Sequence, residues 1–328
     1  MLPITIATGS YDRVQAIIDG TVPVQGCAVS YFPLDIEEVT YRTFEHAEFD
    51  VAEVSFSNYM VARSRGALNY IAIPVFTSRM FRHSAIYIRD DAGIREPQDL
   101  RGRRVGVPTY AMTAALWVRG ILASDFDVQP SQIEWRTGGL EQSGRAARFP
   151  LDAGPDVRIV PIEPGQTLSA MLRDGEIDAL ITARAPSCFT QRAPGISRLF
   201  PDYRRVEQDY YRRTGLFPIM HGIAVRETLA QAHPWLPNSL LKAFQDAKSR
   251  ALAGLDDLTA SKLALPWAAA LAEEAASVMG ADFWRYGFKD NLPELEIMTA
   301  WADAQGLTAR RMTPAELFHP ATRGRAYV

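Results

Sequence analysis

Short runs of β-branched and aliphatic residues alternate with longer amphipathic stretches along most of the chain, and this alternation restricts the fold more than any other feature. A run of four or five such residues suits a buried strand, and a longer stretch with apolar positions three and four apart suits a helix laid on a sheet. A first series reads as strands over 4–7, 28–32, 51–54 and 71–75, with helices over 12–19, 36–44 and 58–64. After a polar turn, Asp90-Asp-Ala-Gly93, a second series reads as strands over 104–107, 133–136, 157–161 and 179–182, with helices over 112–123 and 168–173. Each series predicts a mostly parallel α/β sheet.

Two segments, 84–89 and 221–226, match in length and pattern. If the chain leaves one sheet through the first and returns through the second, the product is a two-lobed α/β fold with a central cleft. Lobe 1 is then 1–89 plus 219–328, closed by helices over 239–253, 262–279 and 295–304, and lobe 2 is the insertion 90–218. A chain of 328 residues is long for one core and suits two. The stretch 138–155, rich in Gly, Arg and Ala, reads as a loop able to fold over a ligand.

Composition narrows the partner. Hydrophobic residues at 47% and charged residues at 22% are ordinary for a globular chain, and no apolar stretch approaches the roughly 20 residues of a membrane span. A net charge of -3 without a basic block argues against nucleic acid. The first strand pattern starts at once, with no basic and apolar leader, so a cytoplasmic protein is expected. Only Cys27 and Cys188 occur, which suits a reducing compartment and excludes a disulfide framework or a cysteine zinc site. A small molecule is the expected partner; the sequence sets no oligomeric state and is compatible with a homo-oligomer.

In such sheets ligands bind beyond the carboxyl ends of the strands, where helix N-termini favour anions. Those ends carry Gly9-Ser10-Tyr11-Asp12, Ser55-Phe-Ser57-Asn58, Thr109-Tyr110-Ala-Met-Thr113 and Thr182-Ala-Arg184. Helix capping accounts equally well for each alone; their recurrence in both lobes points to a carboxylate cleft contacted by Ser10, Ser57, Tyr110, Thr113 and Arg184. The densest group, 77–83, holds Arg79, Arg82 and His83. It reads as a turn at the lobe junction, with two fork-shaped carboxylate binders beside a group that titrates near neutrality. The proposed topology returns His221 to the same place, while His46, His233 and His319 are expected at the surface. A phosphate loop, a dinucleotide fingerprint and a nucleophile elbow are all missing. A divalent metal stays open, but it would need ligands gathered from separate loops, such as Glu53, His83 and His221.

Several stretches resemble the 4,5-dihydroxyphthalate decarboxylase family, whose members look like type II periplasmic binding proteins. They are Tyr11-Asp-Arg13 with Ile18-Asp-Gly20, Tyr59-Met-Val-Ala-Arg-Ser-Arg-Gly66, Tyr70-Ile-Ala-Ile-Pro-Val-Phe76, Ser78-Arg-Met-Phe-Arg-His83, Arg104-Val-Gly-Val-Pro108, Met112-Thr-Ala114, Thr137-Gly-Gly-Leu-Glu141, Gly175-Glu-Ile-Asp-Ala-Leu180 and Leu216-Phe-Pro-Ile-Met-His221. The resemblance spans nearly the whole chain. It implies loss of CO2 from 4,5-dihydroxyphthalate to give 3,4-dihydroxybenzoate without an organic cofactor; such a reaction must avoid an aryl carbanion, and protonation of the ring carbon with electrons from the para oxygen would do so. His83 or His221 would then donate the proton while the other polarises the phenol. Arg79, Arg82 and Arg184 would clamp carboxylates, and Ser57 and Thr113 would complete the anion site. Glu53 reads as a base or as the partner of an arginine. The competing reading is a solute-binding protein that hands a small aromatic or carboxylate anion to a transporter; it predicts the same lobes and cleft.

Overall fold

A computed structural model describes residues 1–144, 149 and 153–324. Of the expected loop at 138–155, residues 145–148 and 150–152 lie outside them. The chain builds β1 (Leu2–Thr8), α1 (Asp12–Ile18), β2 (Cys27–Pro33), α2 (Ile36–His46), β3 (Val51–Ser55), α3 (Phe56–Ser64) and β4 (Tyr70–Arg79). It continues through β5 (Ile86–Arg89), β6 (Arg104–Val107), α4 (Thr113–Phe126), β7 (Glu134–Thr137), β8 (Ile159–Pro161), α5 (Leu168–Asp174), β9 (Ala179–Ile181), α6 (Ser187–Thr190), β10 (Ile196–Arg198) and α7 (Tyr203–Thr214). It returns through β11 (Ile219–Arg226) and closes with α8 (Glu227–Ala232), α9 (Leu236–Leu252), α10 (Ala268–Met279) and α11 (Leu292–Ala304).

These strands form two sheets, ordered β2-β1-β3-β11-β4 and β10-β5-β9-β6-β7-β8. In the first, β1 runs parallel to β2 and β3, and β11 enters antiparallel between β3 and β4. In the second, β6 runs parallel to β7 and β9, and β5 is antiparallel to β9 and β10. The two matched segments of the sequence are therefore the antiparallel members, β5 and β11, one in each sheet. Among the described residues no helix is long and apolar enough to cross a membrane.

One strand differs from its expected length in a way that matters. β4 runs on to Arg79, because β11 continues to pair with it at Ile219↔Arg79 and His221↔Ser78. Thr77, Ser78 and Arg79 thus belong to a sheet and not to a turn.

Helix α4 ties the two sheets together. Its residues from Thr113 to Leu122 are all buried, as an apolar stretch with no polar face demands. Trp117 donates from its indole to the Ile219 carbonyl at 2.9 Å and meets Trp301 of α11 edge-on. Gly120 lies under the Trp301 ring, where a Cβ would come within 2.1 Å of it, so any side chain there would push α11 away.

Candidate active site

Glu53 sits in the middle of β3, fully buried, in a strand whose other members are small or apolar. Strand residues two apart share a face, and β11 pairs His221 with Ser55, so Glu53, Ser55 and His221 point the same way. The His221 Nδ1 lies 2.8 Å from Glu53 Oε1. Two further donors reach the same carboxylate: the Gly9 backbone N–H at 2.9 Å and the Tyr11 hydroxyl at 3.0 Å. Burial alone would raise the Glu53 pKa. The hydrogen bond and charge of His221, with the bonds from Gly9 and Tyr11, outweigh it and hold the carboxyl below its ordinary value. An ionised carboxylate only accepts, so Nδ1 carries the hydrogen and Nε2 is left to bond elsewhere. The ring is 21% exposed, and no described residue bonds to Nε2. The sequence left open whether Glu53 partners an arginine; it partners an imidazole and a phenol.

The rest of the site is aromatic. Gly9 allows Tyr11 to fold back over the strand end, since a Cβ there would come within 2.7 Å of the Tyr11 ring. Arg13, one residue into α1, has its guanidinium 4.2 Å from the ring centroids of both Tyr11 and Trp284. Trp284 is fixed in turn by its indole bond to the Phe76 carbonyl at 2.9 Å. Tyr286 is buried, and Arg13 and Glu53 both act electrostatically on its phenol. Burial pushes the Tyr11, Tyr31 and Tyr286 hydroxyls well above their ordinary value, so all three stay protonated. The hydroxyls of Ser57, Thr77 and Tyr286 are buried without a hydrogen-bond partner among the described residues.

The expected anion contacts divide. Ser57 and Thr113 do meet: β3 runs straight into α3, and Thr113 at the start of α4 accepts from the Ser57 N–H at 3.1 Å and lies 3.0 Å from the Ser55 hydroxyl. Two helix N-termini, one from each sheet, thereby converge beside the dyad. Ser10 is exposed on the β1–α1 loop. Tyr110 is 1% exposed, packed under Arg119 and against Trp135 in the interior of the second sheet's layer, so it is a core residue. Arg184 lies 3.2 Å from Asp35 and 3.9 Å from Glu37, with its side chain 60% exposed. It joins the loop after β9 to the N-terminus of α2.

The basic segment at 77–83 requires correction. Placed on β4, Arg79 has a side chain with no exposure; it donates to the Phe217 and Arg285 carbonyls, to Asn291 and to Glu294. Burial lowers its pKa to about 10, partly offset by Glu294. It stays cationic and serves the interior, so it is no clamp in this arrangement. Arg82 is half-buried, against the Met220 sulfur at 3.0 Å and the Ala183 carbonyl at 3.5 Å. His83 is buried edge-on to Phe200 and Tyr210, its Nδ1 without a partner, and burial lowers its pKa to about 4. Its ring partners are Phe200 and Tyr210, whereas His221 bonds to Glu53, so among the described residues the two imidazoles have different partners. The trio Glu53, His83 and His221 is likewise not gathered, and no group of three or more potential metal ligands occurs among the described residues.

Sequence reasoning passed over Tyr31, Trp284 and Tyr286, and it weighed Tyr11 and Arg13 only as parts of motifs. Its available signal was the aromatic-basic run Trp284-Arg-Tyr286 in a stretch without helical or strand period.

Two sheets joined by two connections, with converging helix N-termini between them, define the architecture of the periplasmic solute-binding proteins. The aliphatic sulphonate binding protein SsuA of Escherichia coli superposes with a TM-score of 0.54 over 98% of both chains at 12% identity. A mutant of DSZB in complex with biphenyl-2-sulfinic acid does so with a TM-score of 0.50 at 16% identity, again over 98% of both. In sequence the relation is much nearer. The 4,5-dihydroxyphthalate decarboxylase of Comamonas testosteroni is 44% identical over 321 residues, 98% of this chain and 97% of its own. That of Pseudomonas putida is 44% identical over 211 residues, 64% of this chain and 82% of its own. The chain belongs to the 4,5-dihydroxyphthalate decarboxylase family. No family model matches it.

Proposed function

We propose that this protein converts 4,5-dihydroxyphthalate to 3,4-dihydroxybenzoate and CO2 by protonating the ring, with the Glu53–His221 pair handling the proton. The observation that carries the reading is a fully buried carboxylate 2.8 Å from Nδ1 of a partly exposed imidazole, a pairing that fixes one tautomer and the orientation of the ring.

Direct loss of CO2 would strand a carbanion on the ring. The substrate's hydroxyl para to the departing carboxylate avoids this. As Nε2–H of a protonated His221 delivers its proton to the carbon bearing that carboxylate, the para oxygen supplies the electron pair. Breakage of the C–C bond then releases CO2 and restores aromaticity. One proton is consumed, one C–H bond replaces one C–C bond, and no electron is gained or lost overall. The substrate's own oxygen acts as the electron source, so the proposal needs no organic cofactor. His221 is the donor because its ring is partly exposed and Glu53 fixes it from Nδ1, leaving Nε2 to reach the substrate. The convergence of α3 and α4, with the unsatisfied Ser57 hydroxyl and with Thr113, suits a carboxylate. Arg82, beside the Met220 sulfur and the Ala183 carbonyl and with Glu207 acting on its charge, is a further cation for the cleft. A cytoplasmic location fits two free, buried cysteines.

Incubation of the purified protein with 4,5-dihydroxyphthalate in D2O tests the proposal. The expected result is CO2 together with 3,4-dihydroxybenzoate carrying one deuterium at the carbon that lost it. Tight binding with no CO2 release would sink the proposal and favour a solute carrier.

A further inference from the structure

We propose that Arg13 is the cation that holds the carboxylate retained in the product, and that it thereby sets the preference for an aromatic ortho-dicarboxylate. The inference rests on the decarboxylase reading and adds to it a residue whose role no comparison supplies.

Three observations carry it. First, the Arg13 guanidinium is preorganised: it lies between the Tyr11 and Trp284 rings at 4.2 Å from each, and its Nε donates to the Thr77 carbonyl at 2.6 Å. A guanidinium fixed by stacking and one backbone bond loses little freedom when its remaining N–H groups meet a carboxylate. Second, it is available. Its Nη1 meets only the half-exposed Asp12 at 3.0 Å, its side chain is 16% exposed, and no described residue bonds to Nη2. Third, two routes connect it to the dyad. Tyr11, on which it stacks, donates to Glu53 at 3.0 Å, and Thr77 precedes Ser78, which pairs with His221. The other candidate cations lack this position: Arg79 is sealed in the interior, Arg184 is paired with Asp35 and Glu37 at the start of α2, and Arg82 lies against Met220 and Ala183.

The chemistry decides which carboxylate Arg13 holds. The departing group loses its charge on becoming CO2, so a fixed cation beside it would stabilise the ground state more than the transition state and slow the step. The neighbouring carboxylate keeps its charge from substrate to product. A cation on that group binds both states alike, so it raises affinity without opposing the reaction.

The segment carrying Trp284 is itself anchored. Lys248 on α9, nearly fully buried, donates to both Asp282 oxygens at 2.6 and 2.7 Å, and the Gly287 N–H donates to the Pro74 carbonyl at 2.8 Å. The stack on Arg13 is thus built into the fold.

The test compares wild type, Arg13→Met and Arg13→Lys by steady-state CO2 release from 4,5-dihydroxyphthalate and by calorimetric binding of 3,4-dihydroxybenzoate and of catechol, which has no carboxylate. Arg13→Met is expected to raise KM and the 3,4-dihydroxybenzoate Kd together by roughly 10- to 100-fold, the size of a lost charge-assisted contact. It should leave kcat and the catechol Kd near wild type, and Arg13→Lys should recover part of the loss. Unchanged 3,4-dihydroxybenzoate affinity in Arg13→Met, or no measurable wild-type affinity for it, overturns the proposal. So does an equal loss for catechol, which would mean the pocket has collapsed. If wild type binds 3,4-dihydroxybenzoate through Arg13 but releases no CO2, the clamp stands and the decarboxylase reading fails.

Discussion

His221 and His83 flank the two connections between the sheets, and the fold treats them in opposite ways. His221 has a buried, ionised carboxylate on Nδ1 and leaves Nε2 to bond elsewhere. His83 has Nδ1 buried against nothing and a ring enclosed by Phe200 and Tyr210. Each lies close in sequence to an arginine or a strand of the same crossing, so residue type alone does not separate them. Access together with a fixed acceptor does. An imidazole with both can be charged, oriented and recharged from solvent, whereas one with neither is held neutral by burial.

The widest gap between the two should appear in turnover. Replacing His221 by Asn removes the donor, and Glu53→Gln removes the charge that orients and supports it; each should lower kcat by about 10²–10⁴, the range for a general acid. His83→Phe, which keeps the ring packing, should leave kcat near wild type. Equal losses at the two histidines would erase the distinction drawn here, and full activity in His221→Asn would exclude imidazole as the proton source.

The dry side of the comparison includes Arg79, and there the effect should fall on stability. Arg79→Met leaves Glu294 buried and 3.3 Å from Arg285 but without its interior partner. Breaking a buried pair costs about 3–5 kcal/mol, to be read from urea unfolding. The KM of the folded fraction should not change. A raised KM without loss of stability would return Arg79 to the substrate.

The elements were legible in the sequence, but this division was not: Arg79 and His83 were expected beside His221 in one site. The alternation of runs located most strands and the helices α1 to α5. Glu53 was read as a base or as the partner of an arginine, and His221 as an imidazole that the second crossing returns to the lobe junction. What misled was the end of β4. Whether that strand stops at Val75 or continues to Arg79 depends on its pairing with β11, more than a hundred residues on, and local pattern cannot report a distant partner. The same four residues decide whether Arg79 faces solvent or the interior. Trp284 and Tyr286 were missed for a related reason: they lie in a stretch with no period, and only its bonds to β4 place it over the site.

A third difference should appear in the dependence of stability on pH. The folded pKa of His83, about 4, lies below its ordinary 6.5, so the unfolded chain takes up the proton first on acidification. The contribution of this ring is whole above about 6.5 and is lost as the pH falls toward about 4. Between pH 7 and 5 it amounts to about 2 kcal/mol. Asp125 opposes the shift and Arg213 adds to it, but burial dominates. His83→Phe should flatten unfolding free energy across that window. The Glu53 contribution has the same sign but lies lower, below its ordinary 4.5. A slope unchanged in His83→Phe would mean that the ring is wetter than its neighbours imply.

Arg184 belongs to neither side, and the smallest effect is expected there. It links the loop after β9 to Asp35, whose other oxygen already caps α2 through the Glu37 N–H at 2.8 Å. An ion pair this exposed is screened and restricts two mobile side chains, so Arg184→Ala should cost less than about 1 kcal/mol, and less still in high salt. The helix cap persists in that variant, which isolates the link between the two sheets. Because the pair lies at the surface and not on the dyad, the Kd for 3,4-dihydroxybenzoate should change far less than in Arg13→Met. Calorimetry on the two variants side by side ranks the cations: a loss at Arg184 matching that at Arg13 would move the carboxylate from the aromatic stack to the loop after β9, as the strand-end pattern of the sequence first suggested.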